Sequence, residues 1–437
     1  MTEEVIGKIK EEIARQNAIY MKYHNWEQGT KIMINSFYGG LANNYMYFFD
    51  PRLAECITKQ GKNAILYAED HINDYFLNHW YDDKDTHAKL GVRVLRPVKN
   101  PVTVYIDTDS VYSQLDEVIS TTNWGISPKT NWRVDIKYRD GNEYSTVFCG
   151  ANPREDVVDY FNLESDEIEK YTLKEVPGEA KDFAIRLDDV FLGDYFKGIF
   201  EDYARNINAD NYLNFELETY SDAGIWLAKK KYMQNIRWTD SMPRHDILDN
   251  YSKIKSKGVE LIQASSPAFA RKKLTYLVRW IFERDEFDLK AFVGELRKIR
   301  DELRVANPDE ISWNKKATDY MKWVQDDNKD LVMRKGTPFT TKGIAYYNFL
   351  LNKNPQYRSK YSPLLPGNKC KYYYSTSTLC EMFAYEPGAY PIEFAPPIDR
   401  KQMFEKIILA PINRIVEAIG YPAIDGDLVV LNTIKLF

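Results

Sequence analysis

The hydrophobic and polar positions divide the chain into recognisable stretches. Val5, Ile6, Ile9, Ile13 and Ile19 recur at helical spacing, predicting helices over 3–24 and 28–38 that stop at Gly39–Gly40. Behind Pro51, the spacing of Leu53, Ile57, Ala64, Leu66, Ala68, Ile72 and Phe76 predicts one long helix from about Arg52 to Trp80. An apolar β-type run then ends at two acids in "VTVYIDTDSVYSQL" (102–115), and a second apolar run follows at once. Residues 132–149 alternate around Asp140–Gly141 and predict a β-hairpin. The acidic stretch 155–180 reads as a loop-like insertion, and 189–207 as an amphipathic helix. "YLNFELETY" and "AGIWLAKKKYMQNI", within 212–236, read as two antiparallel strands. From about Lys257 the pattern turns mostly helical, through 267–285 and 288–304. A tyrosine-rich, proline-punctuated stretch follows at 336–397, and a last helix at 399–419. No internal repeat or low-complexity segment interrupts this order.

With 437 residues and a hydrophobic content of 44%, the chain has enough apolar side chains for two or three domain cores. No window nears 18 consecutive apolar residues and the N-terminus is charged, so no membrane partner is expected and a cytoplasmic location is. Cys56, Cys149, Cys370 and Cys380 form no C-x-x-C pair, which argues against a structural zinc. The 59 basic residues fall short of the 64 acidic ones, giving a net charge of −5. That balance speaks mildly against nucleic acid, but phosphate contacts need only local patches such as Lys229–Lys231 and Arg271–Lys273.

Two constellations carry candidate chemistry. Asp107 and Asp109, one residue apart on a tight turn, repel each other unless a cation offsets the charge. Alone, such a turn reads equally as a solvated hairpin tip or a weak Ca²⁺ loop. Held at the end of an apolar strand, its hard oxygens suit Mg²⁺, the ion that phosphoryl transfer uses. In "KIMINSFYGG" (31–40), Lys31, Asn35 and Tyr38 share one helix face. A cation, an amide and a phenol on one stripe suit a nucleotide, and a polar solvent face ending in a glycine stop is the competing reading.

Together the two resemble the fingers motif K-x-x-x-N-S-x-Y-G and the palm motif Y-x-D-T-D-S of family B DNA polymerases. "FFDPRLAECIT" (48–58), "NFELETY" with "WLAKKKYM" (214–220, 226–233) and "KGVELIQASSP" (257–267) resemble further segments of that family, best of all its T-even-phage replicative type. The resemblance implies an α+β architecture, with part of the fingers at 1–45, a palm with an antiparallel sheet at 46–256 and an insertion at about 120–185, and a mostly helical thumb at 257–437. It implies template-directed DNA synthesis from dNTPs on primer–template DNA, with two Mg²⁺ ions. Asp109, and more weakly Asp107, would hold the metals. Lys31 would hold the triphosphate, and Asn35 and Tyr38 would pack on the nascent pair and the sugar. Lys230 and Tyr232 would reach the primer terminus. Lys231 stands where the family has Arg, keeping charge but losing a bidentate fork. Glu218, and less so Glu216, are candidate further acids, and Lys335, Thr337, Lys342 and Tyr346 candidate grips on the duplex.

The family's D-x-x-S-L-Y-P strand, which brings another aspartate, has no counterpart here, nor has its exonuclease domain. The resemblance therefore implies a companion chain carrying the exonuclease and the N-terminal part of the palm, in the cytoplasm of a bacterial host if the protein is a phage's. A catalytically inactive DNA-binding subunit is the alternative. The ending "LNTIKLF" (431–437) resembles the clamp-docking peptide of T-even-type polymerases, which makes Ile434, Leu436 and Phe437 the expected contacts with a sliding clamp. A strand buried within the thumb is its competing reading.

Overall fold

The computed structural model describes residues 3–122, 130–148, 154–177, 180–242, 252–261, 263–284, 286–325 and 330–428. The chain divides into two compact units. The first comprises residues 1–130, 149–153 and 187–216, the second residues 131–148, 154–186 and 217–437.

The first unit is built on helices. α1 (Glu3–Leu41) is a single helix of 39 residues, about 58 Å long, where two helices were expected. Gly29 lies in open space within it, lowering helix propensity without ending the helix. α2 (Pro51–Asp74) starts as the sequence predicts, with Pro51 in the first turn and the Asp50 carboxylate accepting from the amides of Arg52 and Leu53. A π-turn (Tyr75–His79) and a 3₁₀ turn (Trp80–Asp82) continue its line. α3 (Lys84–Leu90) is capped by Asp83 and stopped by Gly91 at φ 70°. The hairpin β1 (Thr103–Asp107) and β2 (Ser110–Ser113) follows, then α4 (Asp116–Ser120). α7 (Gly193–Asn206) packs along α2, with Phe200 and Phe196 meeting Ala64 and Ala68. Val111 of β2 joins this cluster, seating the hairpin on the helices.

The second unit holds an inserted three-stranded sheet and a large core. β3 (Thr130–Tyr138) and β4 (Glu143–Phe148) form the expected hairpin around Asp140–Gly141. Between 154 and 177, where a loop was expected, lie α5 (Arg154–Tyr160) and β5 (Ile168–Pro177), and β5 completes the sheet in the order β4-β3-β5. Val134, Ile136, Val157 and Leu163 fill its interior. α6 (Ala180–Leu187) follows this sheet. β6 (Thr219–Ala228), β7 (Lys231–Thr239) and β8 (Lys253–Lys257) form a second antiparallel sheet. Ile225 and Met233 join the main core from it, a core to which α8 (Ala268–Phe282) and α9 (Leu289–Val305) also contribute.

Beyond α10 (Pro308–Ile311) the unit is less helical than the pattern suggests. β9 (Trp313–Lys316), β12 (Lys369–Tyr374) and β13 (Met382–Tyr385) form a three-stranded sheet in the order β13-β12-β9. The short pair β10 (Val324–Gln325) and β11 (Val332–Met333) lies between them in the chain. α11 (Phe339–Lys353) covers the sheet. Its Gly343 lies so close to the backbone of Phe383 and Ala384 that an added Cβ would sit 3.2 Å from it. The tyrosine-rich stretch is core: Tyr347, Tyr372, Tyr373 and Tyr385 are fully buried. α12 (Arg400–Phe404), a π-turn (Glu405–Leu409) and α13 (Ala410–Ala418) form the last predicted helix. No helix among the described residues is long and apolar enough to cross a membrane.

Candidate active site

Both sequence constellations lie in the first compact unit. Asp107 ends β1 and Ser110 opens β2 directly opposite it, leaving only Thr108 and Asp109 in the turn. The Asp109 amide donates to the Asp107 carbonyl at 2.7 Å across Thr108, whose φ is 63°. This is a γ-turn of the rare positive-φ kind, occupied by a β-branched residue that Ramachandran sterics disfavour there. Such strain costs on the order of 1–3 kcal/mol and persists only where the surroundings impose it. Here the antiparallel ladder on both sides imposes it. The Thr108 hydroxyl donates to Asp107 Oδ1 at 3.1 Å, and the Ser110 hydroxyl to Asp109 Oδ1 at 3.3 Å.

The turn separates the two acids in environment. Asp107 is buried and Asp109 exposed. α2 fixes the strand that carries them, because Asn73 Oδ1 accepts from the Thr103 amide at 2.9 Å. Neither Thr108 nor Asn73 was singled out in the sequence. A threonine between two aspartates carries no turn signal, and a distant helical asparagine cannot be paired with a strand by pattern.

Lys31, Asn35 and Tyr38 do share one face of α1, since the helix runs unbroken through them. Lys31 is exposed and lies 2.5 Å from Glu27 one turn earlier, and the hydrogen bond from its ammonium holds the Glu27 carboxyl below its usual range. Downstream, Gly40 lets Phe48 close on the helix: a Cβ there would lie 2.5 Å from the ring. Phe48 in turn stacks on Phe37 with centroids 5.0 Å apart, fixing the turn from α1 into α2.

The remaining candidates lie in the second unit, apart from Glu216. Lys229 and Lys230 form the β6–β7 turn, Lys230 with φ 60°, and Lys231 opens β7. Gly258 packs beneath this turn, where a Cβ would stand 2.1 Å from the Lys230 carbonyl. Tyr232 is buried. Glu216 and Glu218 precede β6 rather than lying in a strand. The Glu218 carbonyl accepts from the Asp240 amide at 2.9 Å, and the Glu216 carboxylate from Asn214 at 2.6 Å. Lys335 is exposed, whereas Lys342 pairs with Glu381 at 2.8 Å. Thr337 and Tyr346 are buried, their hydroxyls bonded to the Arg334 carbonyl and to Ser377, so they serve the core rather than a phosphate grip. Ile434, Leu436 and Phe437 lie outside the described residues.

Asp107 and Asp109 present the hard carboxylate oxygens that Mg²⁺ takes. Among the described residues no group of three or more acids, histidines or cysteines gathers where it could hold a metal ion. The pair therefore fits as part of a donor set rather than the whole of one.

Residues 7–138, which contain nearly all of α1, all of α2 and the complete Asp107–Asp109 turn, match the family model described as DNA polymerase family B. The chain is 24% identical over 371 residues to the DNA-directed DNA polymerase of Enterobacteria phage T4, an alignment covering 84% of this chain and 33% of that protein. It is 25% identical over 256 residues to the DNA-directed DNA polymerase of Escherichia phage RB69, covering 59% of this chain and 22% of that one. The chain thus spans a third or less of the length of these curated relatives. Its likeness to family B DNA polymerases consists of the match to that family model at 7–138 and of relatives of low identity whose alignments reach further along the chain.

Proposed function

We propose that this chain carries the nucleotide-binding and metal-binding part of a template-directed DNA polymerase. One observation supports this above others. The Lys31–Asn35–Tyr38 face and the Asp107–Asp109 turn belong to one compact unit, and both fall inside the stretch that matches the polymerase family model. In this reading residues 1–45 are fingers, 46–256 palm and 257–437 thumb.

Asp107 and Asp109 would hold two Mg²⁺ ions, which would supply the positive charge that offsets charge on the attacking oxygen, the phosphate and the leaving group. The strained turn sets both carboxylates at the strand end before substrate arrives, so little reorganisation remains for the reaction step. Lys31 exchanges its Glu27 partner for the triphosphate, a stronger charge-assisted contact than an exposed intrahelical pair. Asn35 and Tyr38 flank the base pair and sugar, and the Tyr38 ring limits space for a 2′-hydroxyl. In the second unit, Lys230 and Lys231 at the β6–β7 turn are the proposed contacts with the primer terminus, and Glu218 is the proposed further acid. Ile434, Leu436 and Phe437 dock on a sliding clamp.

A companion chain with the exonuclease and the remaining palm aspartate completes the enzyme. Two features support a large apolar partner surface. Trp26, Ile32, Met33 and Phe37 of α1 are 69%, 66%, 66% and 59% exposed, far more apolar surface than a solvated helix leaves open. Among the described residues β1 and β2 also form a two-stranded sheet, and exposed strand edges invite pairing. The test is primer extension by this chain alone, by the companion alone and by the mixture. Synthesis by the mixture only supports the reading. A mixture that binds duplex without extending it would favour the inactive DNA-binding subunit instead.

A further inference from the structure

β1 and β2 are out of step by one residue. Thr103 pairs with Ser113 and Tyr105 with Tyr112, so Val104 is an extra residue and the hairpin carries a β-bulge just before Asp107. Side chains alternate along a strand, and directly paired residues share a face. In a regular strand Thr103, Tyr105 and Asp107 would therefore lie on one face. The bulge breaks that phase. Thr103 shares its face with Ser113, Val111 and Ile106, whereas Asp107 shares the other with Ser110, Tyr105 and Tyr112. Val111 packs against the cluster of Ala64, Ala68 and Phe200, so the Thr103 face is the one turned to α2 and α7. Tyr105 and Tyr112 meet on the other face, ring centroids 5.6 Å apart.

A slip of one residue in such a ladder moves every side chain beyond it to the opposite face, so whatever holds the bulge also decides where Asp107 points. Asn73 stands at that place. This half-buried residue of α2 turns its carboxamide oxygen to the Thr103 amide at 2.9 Å. The donor is a backbone N–H, so only the oxygen of the carboxamide can accept from it. The bond satisfies a backbone donor at the point where the ladder is irregular. The Thr103 hydroxyl beside it is buried and has no partner among the described residues. Regular pairing resumes at once, the Gln114 amide donating to the Val102 carbonyl at 2.7 Å. Asparagine is unfavourable within a helix, so what Asn73 contributes lies in this bond rather than in α2 itself.

We propose that Asn73 is a positioning residue for nucleotidyl transfer. By pinning the bulge at Val104 it fixes the face on which Asp107 and, through the Thr108 turn, Asp109 present their carboxylates. This rests on the polymerase reading and adds to it a residue that acts through the backbone of β1, without touching metal or nucleotide itself.

The experiment compares Asn73→Leu, Asn73→Asp and Tyr195→Phe in the complete enzyme. Leucine keeps the volume and removes the acceptor, and aspartate keeps an acceptor in place. Tyr195→Phe removes a bond of similar kind, from the Tyr195 hydroxyl to the His71 carbonyl at 2.9 Å, which ties α7 to α2 and leaves β1 alone. The measurements are kcat and KM for dNTP, the affinity of the nucleotide-free enzyme for Mn²⁺ by electron paramagnetic resonance, and Tm. Asn73→Leu should lower kcat about 10–100-fold and weaken Mn²⁺ binding about tenfold, with KM for dNTP within about twofold of wild type. Asn73→Asp should recover most of both losses. Tyr195→Phe should lower Tm to a similar extent and leave kcat and Mn²⁺ affinity at the wild-type values. If Asn73→Leu does not fold, Asn73→Ser, whose hydroxyl is too short to reach the amide, is read in its place by the same criteria. An acceptor-less variant that loses Tm alone, as Tyr195→Phe does, would overturn the proposal and leave the polymerase reading intact. A wild-type complete enzyme that neither incorporates dNTP nor binds Mn²⁺ would overturn both.

Discussion

Asp109 donates its backbone N–H to the carbonyl of Asp107 at 2.7 Å, so the two candidate metal ligands are joined by a backbone hydrogen bond as well as by sequence. Thr108 stands at φ 63° within this bond, a conformation imposed by the β1–β2 ladder and by the anchoring of β1 on Asn73. Two carboxylates that would otherwise swing apart are thereby held at one strand end, one buried and one open to solvent.

The two adjacent glycines in the last turn of α1 should behave oppositely. A Cβ at Gly40 meets the Phe48 ring at 2.5 Å, and that ring is held by Phe37, so Gly40→Ala should cost about 1–3 kcal/mol as in other overpacked sites. Gly39 has open space around it, and Gly39→Ala should be neutral or stabilise by up to about 1 kcal/mol through helix propensity. Chemical denaturation of both variants checks this. Equal effects would contradict the packing assigned to Phe48.

His87 gives the first unit a dependence on pH. It is buried against Trp80, ring centroids 4.7 Å apart, and burial pushes its imidazole below the ordinary value near 6.5. The unfolded chain then binds the proton more readily than the folded one, so stability is fully present above about pH 6.5 and is lost as pH falls from there through the folded-state value. Thermal melts from pH 8 to pH 5 should show this loss. In His87→Phe the slope should shrink, and an unchanged slope would assign the pH dependence to other groups.

Much of this was legible in the sequence, and the failures have physical causes. The helix start at Pro51, the hairpin at Asp140–Gly141 and the Lys31–Asn35–Tyr38 stripe follow from local caps, turns and periodicity. The β6–β7 turn was misread as strand because it is built from Lys229 and Lys230, and lysine at φ 60° gives no turn signal. β5 was misread as loop because its partner, β3, is distant in the chain and its own stretch is acidic. The alternation of 212–218 resembled a strand, yet β6 begins only at Thr219. In the candidate site, residue types and spacing were readable, but the strain at Thr108 and the burial difference between the acids exist only in three dimensions.

Lys31 distinguishes a nucleotide site from a solvated helix face. Lys31→Ala removes only an exposed intrahelical pair with Glu27, so stability should hardly change. In primer extension by the complete enzyme, the KM for dNTP should rise and incorporation slow by roughly tenfold or more, the loss of one charge-assisted phosphate contact. Unchanged KM and kcat would return Lys31 to the solvent face.

The central claim, that the Asp107–Asp109 turn is a metal site for nucleotidyl transfer, is tested most directly by Asp109→Ala in the complete enzyme. Single-turnover incorporation with Mg²⁺ and duplex affinity are measured side by side. The account predicts that incorporation falls by about three orders of magnitude or more, while the Kd for primer–template stays within about threefold. Incorporation near the wild-type rate, or a parallel loss of DNA binding, would contradict it.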